Sequence, residues 1–213
     1  MIKVENIDVW GFEHAVRGMR NPMNSWDKSD SEWRIYTPEY PHLSEAKYEI
    51  GKNDLDLMKR LYKAGTEHRK YLRQIFVSMD ITAPLYWWKE IDTYKIGTVA
   101  NSCSTMHKIA AKEFELDDFS HEHLLPISES VLDTVIRELN SFRGLYLTHK
   151  DKEHWWQMIQ LLPSSYNQKR TVTMNYENVV TMIRQRTGHK LDEWREFVAL
   201  LHGLPYVAEI IDE

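Results

Sequence analysis

Polar and apolar residues alternate most regularly over Ile75–Ile81. Ile75, Val77, Met79 and Ile81 fall on one side of an extended chain, and Phe76, Ser78 and Asp80 on the other. A period of two predicts a strand there. Ile2–Val9 alternates more weakly and is predicted as a first strand, with Phe12–Met19 turning helical after it. Elsewhere the spacing is that of helices. Leu55, Met58, Leu61 and Tyr62 form an inner stripe behind Asn53, which is placed to cap, with Asp56 in the first turn and Gly65 at the end. Pro84 suits the first turn of a helix on which Leu85, Trp88 and Ile91 recur. Ser130–Leu147 gives the clearest helical pattern, with Val131, Leu132, Val135, Ile136, Leu139 and Phe142 on one side, and His154–Leu162 follows up to Pro163.

Between these segments, Arg20–Ser31, Gly97–Thr105 and Phe114–Pro126 have the composition of loops, and Glu45–Gly51 fits neither period. The first loop has Trp26 within it and Trp33 beside it, which suits either a flap over a ligand or an ordinary loop pinned by an indole. No repeat, low-complexity tract or linker interrupts the chain. The pattern predicts one helix-rich α+β domain over residues 1–213.

The segment Leu162–Phe197 carries the densest candidate chemistry. A helix on Asn175–Arg186, stepping about 100° per residue, brings Arg186 to within about 20° of Asn175. Met182 and, more loosely, Asn178 share that side, while Tyr176, Val179, Val180 and Ile183 form a separate apolar stripe. One face therefore buries and the other offers amides and a guanidinium; such a face is either solvated or a binding surface. Gly188 ends the helix, His189 follows at the break, and a further helix fits Leu191–His202 with Leu191, Trp194, Val198 and Leu201 on one side. Glu193 and Arg195 are expected as surface charges flanking a core Trp194.

Composition narrows the function classes. The net charge of −5 argues against a general nucleic-acid binder, whose surface would be basic, but leaves room for a small phosphorylated ligand. Eight Trp, eleven Tyr and six Phe suit a planar-ring pocket and equally a bulky core or an oligomer interface. The single Cys103 excludes intramolecular disulfides and four-thiolate zinc sites. With no signal-peptide plan at the start and no long apolar run, a soluble cytoplasmic protein without membrane contact is expected. Cys103 with His107 lacks the fixed base and third partner that a nucleophile needs, and His121-Glu122-His123, with Asp117 and Asp118 upstream, suits either metal ligation or a solvated loop.

Two separated segments resemble the flavin-dependent thymidylate synthases. Leu162-Pro163, Tyr166, Thr173-Met174-Asn175, Arg186, His189 and Glu193-Trp194-Arg195 follow the order of that family's C-terminal signature. The stretch from Gly65 to His107 follows its central segment, with His68 opening an approach, Ala83-Pro84 after the strand, and Asn101 and Ser104 on the loop asparagine and serine. The departures are specific. The family's Arg-His-Arg triplet falls near Tyr94-Lys95-Ile96, its terminal Arg-Tyr becomes Met106-His107, and Glu177 stands where an arginine is usual.

The resemblance implies a fold with a central, mainly antiparallel sheet, a homo-oligomer up to a tetramer, and reductive methylation of dUMP. FAD would be the cofactor, methylene-tetrahydrofolate the carbon donor and NADPH the reductant. It assigns Lys95, Asn175, Asn178 and His189 to the flavin, and Asn101, Ser102, Ser104 and Arg186 to the nucleotide. His68 falls at the site edge and, with Ser104, in a catalytic position. The alternative is a family member that has lost catalysis and binds a nucleotide or a protein partner.

Overall fold

The alternating segment forms a strand as its pattern requires. In the computed structural model, which describes residues 1–36 and 45–212, β4 runs Phe76–Pro84 and buries Val77, Met79, Ile81 and Ala83. The order along the chain is β1 Lys3–Trp10, α1 Phe12–Arg20, β2 Glu32–Tyr36, β3 Glu45–Glu49, α2 Lys52–Lys63, β4, α3 Leu85–Ile91, β5 Thr98–Ser102 and α4 Thr105–Lys108. Then follow α5 Pro126–His149, α6 Lys152–Leu161, β6 Asn167–Asn175, α7 Tyr176–Arg186, α8 Asp192–His202 and α9 Val207–Ile211. This is the expected mixture of helices and antiparallel sheet. Among the described residues, no helix is long and apolar enough to cross a membrane.

The chain divides into two compact units. The first comprises Met1–Asn6, Met79–Val172 and Leu191–Glu193. It holds the start of β1, most of β4 and β6 and all of β5, strands that lie in the order β1-β4-β6-β5. Helices α5 and α6 form an antiparallel pair whose connection needs a left-handed residue, Lys150 at φ 57, and whose second helix starts where Asp151 accepts from the His154 N–H at 2.9 Å. Ile109, Phe114, Phe119, Leu132, Ile136, Leu139 and Met158 pack into one apolar cluster. On the sheet, Asp80 accepts from the Thr171 hydroxyl at 2.6 Å and the Asn6 amide at 2.9 Å, with Lys169 Nζ at 3.2 Å. Those hydrogen bonds pull its carboxyl down to about 2.

The second unit comprises Ile7–Ser78, Thr173–Lys190 and Trp194–Glu213. Its hairpin pairs β2 with β3 antiparallel, Trp33 opposite Tyr48. Phe12, Val16, Met58, Ile75, Tyr176, Val180, Trp194 and Phe197 are among its buried core side chains. Largely buried ion pairs of this unit include Arg20–Asp54 and Arg69–Glu177. Arg20 Nε donates to Asp54 at 2.5 Å, and Asp54 also accepts from the Ser29 and Ser31 hydroxyls, both at 2.7 Å. Burial opposes the charge on Asp54. The hydrogen bonds from Ser31, Ser29, Arg20 and the Asp30 amide outweigh it and hold the carboxyl below the ordinary range. In the second pair, Arg69 reaches Glu177 through Nε at 3.1 Å and Nη2 at 2.8 Å, while its guanidinium lies 5.1 Å from the Tyr62 ring centroid.

Several expectations change. Gly97–Thr105 is not a loop: Thr98–Ser102 forms β5. Glu45–Gly51 contributes β3, and Trp33, beside the Arg20–Ser31 segment, sits on β2. Helix α2 is entered through Gly51, and Asn53 lies inside its first turn, because Asp30 already accepts from the N–H groups of Asn53 and Asp54 at 2.8 and 3.1 Å. The long helix α5 starts earlier and ends later than its apolar stripe, and Val131 is exposed on it. Helix α6 starts at Lys152, where Asp151 supplies the cap.

Three outcomes follow for stability. Asp54→Ala strands a buried guanidinium and is expected to lower unfolding free energy by about 3–5 kcal/mol in urea titrations. Arg69→Met is expected to cost about 3 kcal/mol, and the double change Arg69→Met with Glu177→Leu to recover most of it; additive losses would show that the pair is not coupled. The folded-state carboxyl of Asp80 lies below its unfolded value of about 3.9, so its contribution is complete above that pH and is lost as pH falls toward about 2. Acid titration of Asp80→Asn should show a shallower decline over that window.

Candidate functional site

The junction of β6 and α7 sets the geometry of the second unit's polar face. Asn175 is the N-cap of α7, and its side-chain carbonyl accepts from the Asn178 N–H at 3.1 Å. The next residue, Tyr176, turns its phenol into the core, where it donates to the Pro205 carbonyl at 3.0 Å, and its N–H donates to the Ile75 carbonyl at 2.9 Å. Burial pushes the Tyr176 phenol well above its ordinary range, so it stays a neutral donor. The apolar stripe Tyr176, Val179, Val180 and Ile183 is buried as the spacing requires. Met182, which the spacing places beside Asn175 and Arg186, is fully buried too, so the polar face is narrower than expected.

At the far end of α7, Gly188 takes φ +73 and turns the chain. The His189 N–H then donates to the Arg186 carbonyl at 3.0 Å, and the two side chains meet with Nη1 3.3 Å from His189 Nε2. A guanidinium only donates, so this contact takes the imidazole as an acceptor at Nε2. Below them lies the fully buried Trp194. Arg186 Cζ stands 4.7 Å from its ring centroid, and the His189 ring meets it edge-on at 6.2 Å. Arg186, His189 and Trp194 therefore form one packed group of a cation, an imidazole and an indole. His68 is exposed in the same unit, next to the buried Arg69.

The remaining candidates lie in the first unit. Lys95 is exposed where the short turn Asp92–Tyr94 ends, and Asn101 and Ser102 are exposed on β5. Because Thr98–Ser102 is a strand, its successive N–H groups point alternately to opposite sides and do not converge into a phosphate cradle. The Cys103 N–H is already donated to the Lys169 carbonyl at 2.9 Å. Ser104 caps α4 by accepting from the His107 N–H at 3.1 Å, which leaves the hydroxyl hydrogen to donate elsewhere.

Two features lay beyond the sequence. Glu177, which stands out as a charge reversal, has its partner 108 residues away in Arg69. Glu193 is buried rather than a surface charge, and the Tyr86 hydroxyl donates to it. Burial, together with that carboxylate, pushes the Tyr86 phenol up to about 12. Neither pairing has a local signal; each joins segments more than a hundred residues apart.

No protein-family model and no curated protein sequence matches this chain. Solved structures do. The chain is similar in fold to thymidylate synthase X from Helicobacter pylori, crystallised with FAD and dUMP, with a TM-score of 0.70 and 18% identity over 100% of this chain and 98% of that one. A second structure of the flavin-dependent thymidylate synthase from the same organism, complexed with FAD and dUMP, gives a TM-score of 0.69 and 17% identity, covering 99% of this chain and 98% of that one. The fold of this chain is thus that of a flavin-dependent thymidylate synthase from end to end.

Proposed function

We propose that this chain binds a pyrimidine nucleotide and FAD and catalyses reductive methylation of dUMP, with methylene-tetrahydrofolate and NADPH as co-substrates. The observation that carries this reading is the end-to-end likeness to a fold solved with FAD and dUMP, together with a motif order that includes Asn175, Arg186 and His189. The whole chain would act as one domain in a cytoplasmic homo-oligomer, up to a tetramer.

The donor chemistry present fits such ligands. Arg186 offers a guanidinium whose planar fork suits phosphate, and it is half-buried against Trp194, where the local dielectric is lower than in water. Asn175 keeps its amide N–H groups for a ring carbonyl, because capping uses only its oxygen. Glu177 raises no electrostatic objection, since Arg69 already neutralises it. In this reading Arg186, Asn101, Ser102 and Ser104 hold the nucleotide, while Lys95, Asn175, Asn178 and His189 hold the flavin. His68 borders the site. When bound, FAD supplies the reducing chemistry; the protein's part is to orient the pyrimidine and offset its phosphate charge.

One observation favours a second reading, a relative that binds a nucleotide or protein partner without turnover. Around the family's arginine triplet this chain has Tyr94-Lys95-Ile96, in which Tyr94 is buried and Ile96 is 87% exposed, so Lys95 alone offers charge there. A lysine supplies a point charge where an arginine would supply two parallel donors.

The ultraviolet–visible spectrum of the purified protein, before and after incubation with FAD, separates the two. Flavin bands that persist through gel filtration support the enzyme. A colourless protein that takes up no FAD removes it, and a thermal shift with dUMP alone would then support the second reading. Arg186→Ala should weaken dUMP binding by about 1.5–3 kcal/mol in calorimetry, with the circular-dichroism spectrum unchanged. Equal affinity in the variant would take Arg186 out of the nucleotide site.

A further inference from the structure

A cavity of about 430 Å³ lies wholly inside the second unit. Its walls are unusually aromatic. Trp10 enters from the end of β1, Trp33 from β2 and Tyr48 from β3. Trp33 and Tyr48 meet edge to face at 5.5 Å, and Trp10 stacks on Phe76 at 5.9 Å, so the rings are held by packing rather than left to rotate. The floor is equally fixed. Tyr206 packs against Phe12 at 5.3 Å, and its phenol oxygen accepts the Ile50 N–H at 3.1 Å.

The charge of this lining is lopsided. Asp8, Glu13 and Glu45 supply three carboxylates against the ammonium of Lys47, with the His14 imidazole beside them, 3.4 Å from the Arg17 guanidinium. Glu13 is aimed, because the Trp33 indole N–H donates to its Oε2 at 3.2 Å, which holds a carboxylate against the rim of the aromatic wall. Exposed tryptophans are costly to leave in water. Here Trp10 is 41% and Trp33 57% exposed, and both border one acidic hollow. Aromatic faces and carboxylates share one preference in ligands: both attract a cation with a soft, partly apolar surface. An anion would meet three like charges, and a purely apolar ligand would leave the carboxylates unanswered.

We propose that this cavity binds the alkylammonium group of a small organic cation, with Trp10, Trp33 and Tyr48 as the cage and Glu13 as the counter-charge. The site shares no residue with those assigned to nucleotide and flavin, so it stands or falls independently of that function.

The test uses choline and its uncharged isostere 3,3-dimethylbutan-1-ol, which have the same shape. Binding is followed through the indole N–H peaks in nitrogen–proton correlation spectra of the full chain. Choline should shift the Trp33 and Trp10 peaks saturably with millimolar half-saturation, and the isostere should bind at least about tenfold more weakly. Glu13→Gln, at an exposed position and nearly isosteric, should weaken choline about tenfold and leave the melting temperature unchanged, and Trp33→Ala, followed at the Trp10 peak, should weaken choline as much. Three results would overturn the site: no saturable shift by choline, equal shifts by the isostere, or unaltered affinity in both variants. Sizing that shows a second copy of the chain covering these indoles and shutting choline out would overturn it as well.

Discussion

At Tyr176 two obligations meet, and the second unit is arranged around satisfying both. Its N–H must find a partner as the strand ends and the helix begins, and it finds the Ile75 carbonyl; its phenol must find one inside the core, and it finds the carbonyl of Pro205. A buried donor without a partner costs about 1–3 kcal/mol, so neither contact is optional. The first ties the start of α7 to the chain entering β4. The second ties it to the segment after α8. The ring edge against Phe12 at 5.8 Å adds α1. With four parts of the chain fixed to one residue, the cap at Asn175 and the face of α7 have little freedom.

The second unit also shows how this chain tolerates charge inside. Asp54 has an arginine, two hydroxyls and backbone amides, and Glu177 has both arms of Arg69. In the first unit Glu193 takes the Tyr86 hydroxyl. Each acid is answered by donors built for it, in keeping with the high cost of a buried charge without partners. Glu177 is the informative case. Set against the family's pattern it reverses a charge; set in the fold it is one half of an internal pair. The local electrostatics is therefore closer to neutral than the substitution alone suggests.

The sequence disclosed what is periodic and concealed what is paired at a distance. β4 and the core stripe of α7 were legible because burial on one face imposes a strict period, and Ile75, Val77, Met79 and Tyr176, Val179, Ile183 obey it. β2 and β5 were not, because their residues are mostly exposed and bury no face that would force alternation. Val131 was misplaced for a related reason: α5 buries only a narrow stripe, and an apolar residue one step off it stays in water. The candidate site divides in the same way. Asn175, Arg186 and His189 lie within one local turn-and-helix pattern, whereas Arg69 and Glu177, 108 residues apart, leave no trace of their pairing in any window of sequence.

Among the cations assigned to the proposed ligands, Arg186 and Lys95 differ in what they have already given up. Arg186 is half-buried, stacked on Trp194 and joined to His189, so much of its side-chain freedom is spent in folding. Lys95 is exposed and keeps its freedom until a ligand takes it. Immobilising such a side chain costs about 0.5–1.5 kcal/mol on binding. A phosphate reaching Arg186 meets a cation whose ordering cost is largely met, in surroundings that screen it less than water does. In the proposed reading, an anion would therefore draw more on the ordered α7–α8 turn than on the unrestrained Lys95.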